Sequence, residues 1–149
     1  MRQRRARISL RVRRLTAAGA AAIVAATAAG CGGGSVPDRF SGTWRLADGR
    51  TVPLRRVPHA EGERALRALG GKPCDGSAVY FRATYFGGVA HLAGCATGDG
   101  RRMTGRFDDN GIRGRIVQRL VRDRPPTFKA RVIGDGAMPF TVTAVRIGR

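Results

Sequence analysis

The stretch MTGRFDDNGIRGRIV, residues 103–117, decides the fold. Asn110-Gly111 at its centre is the strongest short signal for a two-residue type I′ hairpin turn. With this turn Phe107 faces Gly114, and side chains of alternating character fall on the two faces of the hairpin. One face receives Met103, Phe107, Ile112 and Ile116, and the other receives Thr104, Arg106, Asp108, Arg113 and Arg115. Because the turn residues and the alternation agree, we predict two paired antiparallel strands.

Segments of the same kind precede this hairpin. Strands are predicted at 40–46, 51–57, 78–86 and 89–95, with turns at Asp48-Gly49 and Gly87-Gly88. Pro53 makes the second of these an edge strand or a bulged one, because proline cannot donate to a central ladder. The apolar stripe of residues 60–69, ended by Gly70-Gly71, predicts one short helix.

A final hairpin is predicted after Pro125-Pro126, which separates it from the central hairpin. Its loop is expected to be Gly134-Asp135-Gly136, because a two-residue loop would place Phe128 and Phe140 on opposite faces. The expected partners are Val132 with Met138, Ala130 with Phe140, and Phe128 with Val142. The chain is therefore expected to be mainly β, a small antiparallel β-barrel or sandwich of about eight short strands with one short helix.

The N-terminal part of the chain has a different composition. Residues 1–14 contain seven arginines and no acidic residue, and residues 15–29 form an apolar run made mostly of alanine. A basic region followed by a short apolar region is the layout of a secretory signal peptide. We therefore expect a signal peptide at 1–30, a flexible glycine-rich tether at 31–37 and a β-rich extracytoplasmic domain at 38–149.

Ala29 and Gly30 before Cys31 resemble the lipobox of bacterial lipoproteins, with Ala28 where a leucine is usual. In that family the cysteine thiol receives a diacylglycerol and the chain is cut before the cysteine. The resemblance implies lipidation of Cys31 and a protein held by its lipid at the extracytoplasmic face of the cell membrane. The alternative is ordinary signal cleavage, which would leave Cys31 as a free thiol.

Cys74 and Cys95 lie within the domain and are predicted to form a disulfide in an oxidising compartment. If Gly87-Gly88 is the turn, the two cysteines are not direct cross-strand partners. The segment before Ser77 must then fold back, or the hairpin must turn earlier. Two free thiols are the alternative.

The formal net charge is +18, and removing residues 1–30 with their seven arginines leaves +11. A domain this basic is attracted to polyanions. The polar faces of the two later hairpins contain the candidate anion-binding residues Arg106, Arg113, Arg115, Lys129 and Arg131. The alternative is a solvated surface that is rich in arginine for coding reasons. Aromatic residues do not alternate with these basic ones, so no nucleic-acid partner is expected.

The sequence contains no nucleophile elbow, no zinc-protease motif and no phosphate-binding loop. The two histidines are interpreted as one surface residue, His59, and one core residue, His91, rather than as general bases. Asp108-Asp109 is interpreted as turn chemistry. The cysteines and histidines do not supply a set of four metal ligands, and neither a metal nor a cofactor is expected.

Gly42-Thr43-Trp44, at the head of the first predicted strand, resembles the Gly-x-Trp motif of lipocalin-like barrels. The resemblance implies that Trp44 closes one end of a barrel and that the interior holds a small apolar ligand.

The leading expectation for function is a non-enzymatic, membrane-anchored lipoprotein whose basic face meets anionic envelope polymers or a protein partner. The alternative is a lipocalin-like barrel that binds a small ligand. A third hypothesis is an envelope hydrolase that uses His91.

Overall fold

Within residues 35–149, eight strands and one helix form in the predicted chain order. This computed structural model describes residues 35–149, so the predicted signal peptide and Cys31 lie outside the described residues. The elements are β1 Gly42–Leu46, β2 Thr51–Val57, α1 His59–Ala68, β3 Val79–Tyr85, β4 Ala90–Ala96, β5 Arg102–Asp109, β6 Ile112–Asp123, β7 Pro126–Gly134 and β8 Phe140–Gly148.

The strands form a closed antiparallel barrel in which each pairs with its neighbours in sequence. Closure occurs where β1 pairs with β8, opposite its pairing with β2. Closure removes the two long edges that an open sheet would expose. The fold is thus the barrel rather than the sandwich of the sequence prediction. Residues 35–149 lie within one compact unit that contains all eight strands, so this part of the chain is a self-contained folding unit.

The register of the central hairpin, β5 with β6, is confirmed. Phe107 pairs with Gly114 and Asp108 pairs with Arg113. Asn110 has φ +50° and Gly111 has φ +90°, as the type I′ turn requires. A Cβ on Gly114 would lie 2.7 Å from the Phe107 ring, so the ring occupies the space that a larger residue would need.

The predicted register of the last hairpin is wrong by two residues. The observed partners are Val132 with Phe140, Ala130 with Val142 and Phe128 with Ala144. The turn closes where the Ala137 amide donates to the Gly134 carbonyl, and Met138 and Pro139 stay outside the ladder. Pro139 has no amide hydrogen to donate, so the strand begins only after it. Each residue keeps its predicted face, because a shift of two preserves the alternation.

Two prolines, Pro125 and Pro53, lie where the pairing of the strands differs from the prediction or is incomplete. Pro125 is in the turn between β6 and β7, which pair with each other, so it joins the two later hairpins rather than separating them. Pro53 pairs with Thr43 of β1, whereas the pairing of β2 with β3 covers only Arg55–Val57. The first half of β2 therefore has a strand partner on one side only, as expected for a strand that contains proline.

Helix α1 packs on the outer face of β3 and β4 and forms a second, smaller apolar cluster there. It begins one residue before the predicted start and ends at Ala68, before Gly70-Gly71. Gly62 lies against Tyr80, and a Cβ on Gly62 would overlap the Tyr80 side chain. The close approach of helix and sheet therefore requires glycine at this position.

The chain packs onto the barrel before the predicted domain start at residue 38. Val36 is 6% exposed and belongs to the main core, and the Pro37 carbonyl lies close to Gly100. Of the predicted tether at 31–37, residues 36 and 37 are therefore part of the folded body.

Candidate functional site

The two ends of the barrel differ. At one end, which we call the mouth, lie the loops 47–50, 86–89, 110–111 and 135–139. At the other, the closed end, lie the loops 97–101 and 124–125, the entering segment 35–41 and the C-terminus. The candidate site is the interior space between the aromatic side chains at the closed end and the mouth.

Trp44 forms the floor of the barrel interior. Its side chain is fully buried, and its indole Nε1 donates a 2.7 Å hydrogen bond to the Phe40 carbonyl. The Phe128 ring lies 4.6 Å from the Trp44 ring, centroid to centroid. Arg146, the cross-strand partner of Trp44, lies over the indole ring and donates to the Ser41 carbonyl at 3.4 Å. The aromatic side chains and the arginine together close this end.

A cavity of about 140 Å³ lies above the floor and is open at the mouth. Its walls are mostly apolar, since the inward positions of β4 to β8 carry aliphatic and aromatic side chains. They include Leu92, Phe107, Ile116, Phe128, Ala130, Val132 and Val142. A concave apolar space with a few polar groups is the usual form of a small-molecule site.

Gln118 is the buried polar residue in the wall of this cavity. It is 3% exposed and lies on the inner face of β6, between Met103 of β5 and Ala130 of β7. Its Oε1 has no hydrogen-bond partner among the described residues. Buried polar groups are nearly always paired, and an unpaired one costs about 1–3 kcal/mol. Gln118 thus places an unpaired acceptor oxygen in the wall of the cavity.

The mouth of the cavity combines aromatic and charged side chains. The Tyr85 and Phe86 rings meet edge to face at 4.5 Å, and the Arg50 guanidinium lies 4.3 Å from the Phe86 centroid. Burial, and secondarily the charge of Asp109, raises the pKa of Tyr85 to about 12, against a smaller opposing effect of Arg50. Tyr85 therefore stays neutral at physiological pH and keeps its hydroxyl proton.

Apolar side chains are exposed around the mouth. Met138 is 87% exposed, Ile112 64%, Phe140 54% and Val89 50%. They lie in or beside three of the mouth loops, and we call them the apolar rim. Isolated exposed apolar residues are ordinary, but several around one opening favour an entrance for an apolar molecule.

Two of the five candidate anion-binding residues are occupied by acidic partners. Arg113 pairs with Asp108 at 2.8 Å, and Arg106 lies 3.7 Å from Asp135 while donating to the Leu69 carbonyl. The Arg113 hydrogen bond, followed by that of the Gly111 amide, lowers the pKa of Asp108. These two arginines stabilise the mouth loops and the end of α1.

The other three candidates, Arg115, Lys129 and Arg131, are exposed on the outside of the barrel. Within residues 35–149 none of them has a carboxylate within 4.0 Å. Lys129 lies beside Arg119, which in turn lies beside Arg102. The unpaired basic charge is therefore concentrated toward the closed end rather than spread evenly over the face.

Cys74 and Cys95 form a disulfide, with their Cα atoms 6.5 Å apart. The β3–β4 hairpin turns at 86–89, so Cys95 pairs with Tyr80 and not with Cys74. The segment before Ser77 folds back over the outer face, and the Cys74 amide donates to the Tyr80 hydroxyl at 2.8 Å. Of the two predicted ways to bring the cysteines together, the fold-back is the correct one.

Both histidines are exposed, so the prediction of a core position for His91 is wrong. His91 lies on the outer face of β4, with its Nδ1 3.4 Å from the Thr84 hydroxyl and Asp108 as its cross-strand neighbour. In the described part of the chain, no group of three His, Cys, Asp or Glu side chains is arranged to hold a metal ion.

Sequence reasoning missed Gln118, although its signal was present. The predicted register of the central hairpin, continued beyond Ile116, places Gln118 opposite Met103 on the apolar face. A single amide within an otherwise apolar row was the feature to notice.

The chain matches no protein-family model, no curated protein and no solved structure. Among residues 35–149 no helix is long and apolar enough to cross a membrane. Fold alone does not assign function, which depends on the chemistry of the cavity.

Proposed function

We propose that this protein is an extracytoplasmic lipoprotein whose barrel binds a small, largely apolar ligand that carries a hydrogen-bonding group. The observation that supports this most strongly is the buried Gln118 side chain in the wall of an apolar cavity, whose Oε1 has no hydrogen-bond partner in residues 35–149. Gly42-Thr43-Trp44 supports it too, since Trp44 lies at the end of the barrel opposite the mouth.

The size of the cavity limits the ligand. A closed apolar cavity of about 150 Å³ holds one benzene molecule. The space here is about 140 Å³ and open at the mouth. It therefore suits a ring or a short branched chain, and a longer ligand would extend toward Phe86 and Phe140.

The chemistry of Gln118 limits the ligand further. A primary amide has two donor hydrogens and one acceptor oxygen. An alcohol, an amide or a carboxylic acid can pair with it, whereas a pure hydrocarbon would leave it unpaired. A site built to hydrogen-bond a ligand group discriminates against the analogue that lacks it.

The proposed role is binding without catalysis. The polar side chains that line the cavity are Arg50, Asp109 and Gln118, with the Tyr85 hydroxyl. In the part of the chain that the structure covers, none of these side chains forms a hydrogen-bonded pair of a nucleophile and a base. Reversible binding by an apolar site is the simplest use of this set.

The lipid on Cys31 is the second part of the proposal. It is supported by the N-terminal sequence and by an oxidising location for the Cys74–Cys95 disulfide. The intact mass of the protein from its native membrane tests it. A chain that begins at Cys31 and carries diacylglycerol is expected, and an unmodified Cys31 would contradict lipidation.

Binding is tested with two probes of equal size, benzyl alcohol and ethylbenzene, which differ by a hydroxyl in place of a methyl. Their dissociation constants are measured by NMR titration for the parent and for Gln118→Leu. For eight non-hydrogen atoms a dissociation constant on the order of 1 mM is reasonable. The preference for benzyl alcohol over ethylbenzene should fall roughly fivefold to tenfold in Gln118→Leu, the effect of one hydrogen bond.

Met103→Leu is the matched control for this experiment. Met103 lies opposite Gln118 and is fully buried, so its replacement changes the local packing but not the amide. The control should keep the preference of the parent. Equal preference in the parent and Gln118→Leu, or no binding of either probe, would contradict the proposal.

A further inference from the structure

We infer that the closed end of the barrel docks against an anionic lipid bilayer, so that the mouth faces away from the membrane. The docking surface is a group of exposed basic side chains at that end, which we call the basic end. Its members are Arg102, Arg119, Arg122, Arg124, Lys129 and Arg149. This inference deepens the proposed function, since it rests on the lipid anchor at Cys31.

Like charges lie side by side within the basic end. Arg102 is the cross-strand partner of Arg119, and Arg119 is the partner of Lys129. Side chains at directly opposite positions have Cβ atoms about 5 Å apart, and like charges there are destabilising. No member of the basic end has a carboxylate within 4.0 Å among residues 35–149. An anionic partner would reduce the repulsion between these like charges.

The acidic residues at the closed end do not neutralise this surface. Asp123 pairs with Arg101, its Oδ1 3.1 Å from the guanidinium. Asp38 accepts a 3.0 Å hydrogen bond from the Ser41 amide and another from the Ser41 hydroxyl. Asp99 accepts a 2.9 Å hydrogen bond from the Arg101 amide, so all three carboxylates have partners outside the basic end.

The mouth has a different charge balance. Arg50 pairs with Asp48, Arg113 with Asp108 and Arg106 with Asp135, and Asp109 adds a further negative charge. The apolar rim also lies there. The charge of the domain is thus polarised along the barrel axis, with the positive side at the closed end.

The anchored end of the chain enters at the same place. Val36 and Phe40 are buried at the closed end, and the Arg39 guanidinium donates to the Asp99 carbonyl in the 97–101 loop. Only Gly32-Gly33-Gly34 lie between Cys31 and Ser35. Four residue steps reach at most about 14 Å, so Cys31 stays within about two Debye lengths of Ser35, each roughly 8–10 Å at physiological salt. A lipid on Cys31 therefore keeps the basic end within electrostatic range of the bilayer.

The first experiment measures vesicle binding without the lipid anchor. The chain that begins at residue 31, with Cys31→Ser, is sedimented with vesicles of phosphatidylcholine alone or of phosphatidylcholine with phosphatidylglycerol. The test variant is Arg119→Gln/Arg122→Gln/Lys129→Gln. The control is Arg45→Gln/Arg64→Gln/Arg115→Gln, which removes the same charge. Its three residues are exposed, lie outside the basic end and have no ion pairs in residues 35–149.

Binding to the anionic vesicles should exceed binding to phosphatidylcholine and should fall as salt is raised. The test variant should lose at least roughly tenfold in affinity, since each basic side chain near an anionic surface contributes about 1 kcal/mol. The control should lose much less. Equal losses in the two variants would overturn the assignment of the surface. If vesicle affinity is lost instead when Met138 and Phe140 are replaced by serine, the mouth and not the closed end contacts the membrane.

The second experiment uses the lipid-anchored protein itself. Trp44 is the single tryptophan of the chain and lies at the closed end. Energy transfer from Trp44 to a dansyl-labelled headgroup should be stronger in anionic than in neutral vesicles and should weaken in the test variant. Transfer that is independent of vesicle charge would overturn the docking. Benzyl alcohol binding is measured on the same samples, so a failure of ligand binding is distinguished from a failure of docking.

Discussion

The guanidinium carbon of Arg146 lies 5.6 Å from the centre of the Trp44 ring, across the seam where the first and last strands close the barrel. The same arginine donates to the carbonyls of Arg39 and Ser41, each at 3.4 Å. One side chain therefore connects the entering segment, the floor and the last strand.

Replacing Arg146 by methionine should destabilise the barrel by about 1–2 kcal/mol, because it removes the cation from the indole and the donor from two carbonyls. The free energy of unfolding from denaturant titration, followed by Trp44 emission, measures the effect. Arg45→Met, at an exposed position of β1, should change stability by less than about 0.5 kcal/mol. Equal effects of the two substitutions would show that Arg146 has no special role.

Gly62→Ala should destabilise the protein although it lies in a helix. Alanine is favoured over glycine in helices by about 1 kcal/mol. Here the added methyl would overlap Tyr80, and overpacking of this kind costs typically about 1–3 kcal/mol. Gly76→Ala is the control, because a Cβ there would have no neighbour within 4 Å. A rise in the melting temperature of Gly62→Ala would contradict the packing of α1.

The disulfide should contribute about 3 kcal/mol to stability, given its sequence separation of 21 residues. The double substitution Cys74→Ala/Cys95→Ala should lower the free energy of unfolding by that amount. The parent measured with a reductant should unfold at the same denaturant concentration as the double variant. An unchanged midpoint in both would mean that the bond does not constrain the unfolded chain.

Glu61 makes stability depend on pH. Its carboxylate loses solvation, which raises the pKa, but hydrogen bonds from Arg82 and Arg55 at 2.9 and 2.8 Å outweigh this and the net pKa is lowered. A carboxyl with a lower pKa in the folded state stabilises the protein above its unfolded pKa. That stability is lost as pH falls through the folded pKa.

The parent should therefore lose stability on acidification from pH 5 to below the unfolded value of 4.5 and further down. In Glu61→Gln the loss should be smaller, because one linked group is absent. Denaturant midpoints at neutral and acidic pH give the comparison. Asp75→Asn, at an exposed residue with no ion pair in residues 35–149, should keep the acid slope of the parent. A parental slope in Glu61→Gln would rule out this contribution.

Much of the fold followed from local patterns. Asn110-Gly111 determined the central register because two consecutive residues with positive φ leave few choices of turn. The last hairpin was less determined, since Gly134-Asp135-Gly136 is compatible with loops of several lengths. The alternation of inward and outward side chains is the same when the register shifts by two residues. Only the effect of Pro139 on the ladder therefore distinguished the predicted register from the observed one.

The candidate site was less predictable than the fold. The candidate arginines were found on the correct face, but which of them have acidic partners depends on loops distant in sequence. Arg106 reaches both Leu69 and Asp135. The closure of β1 on β8, which makes an interior and buries Gln118 beside it, is a tertiary property that no single hairpin contains.

The central claim is that the interior holds a small ligand next to Gln118. The most direct measurement is the set of nuclear Overhauser effects between bound benzyl alcohol and the protein. We predict contacts from the ring protons to the methyl groups of Ile116 and Val132, with a shift of the Gln118 side-chain amide signals. Contacts only to the exposed rim residues Met138 and Ile112, with the Gln118 signals unchanged, would contradict the account.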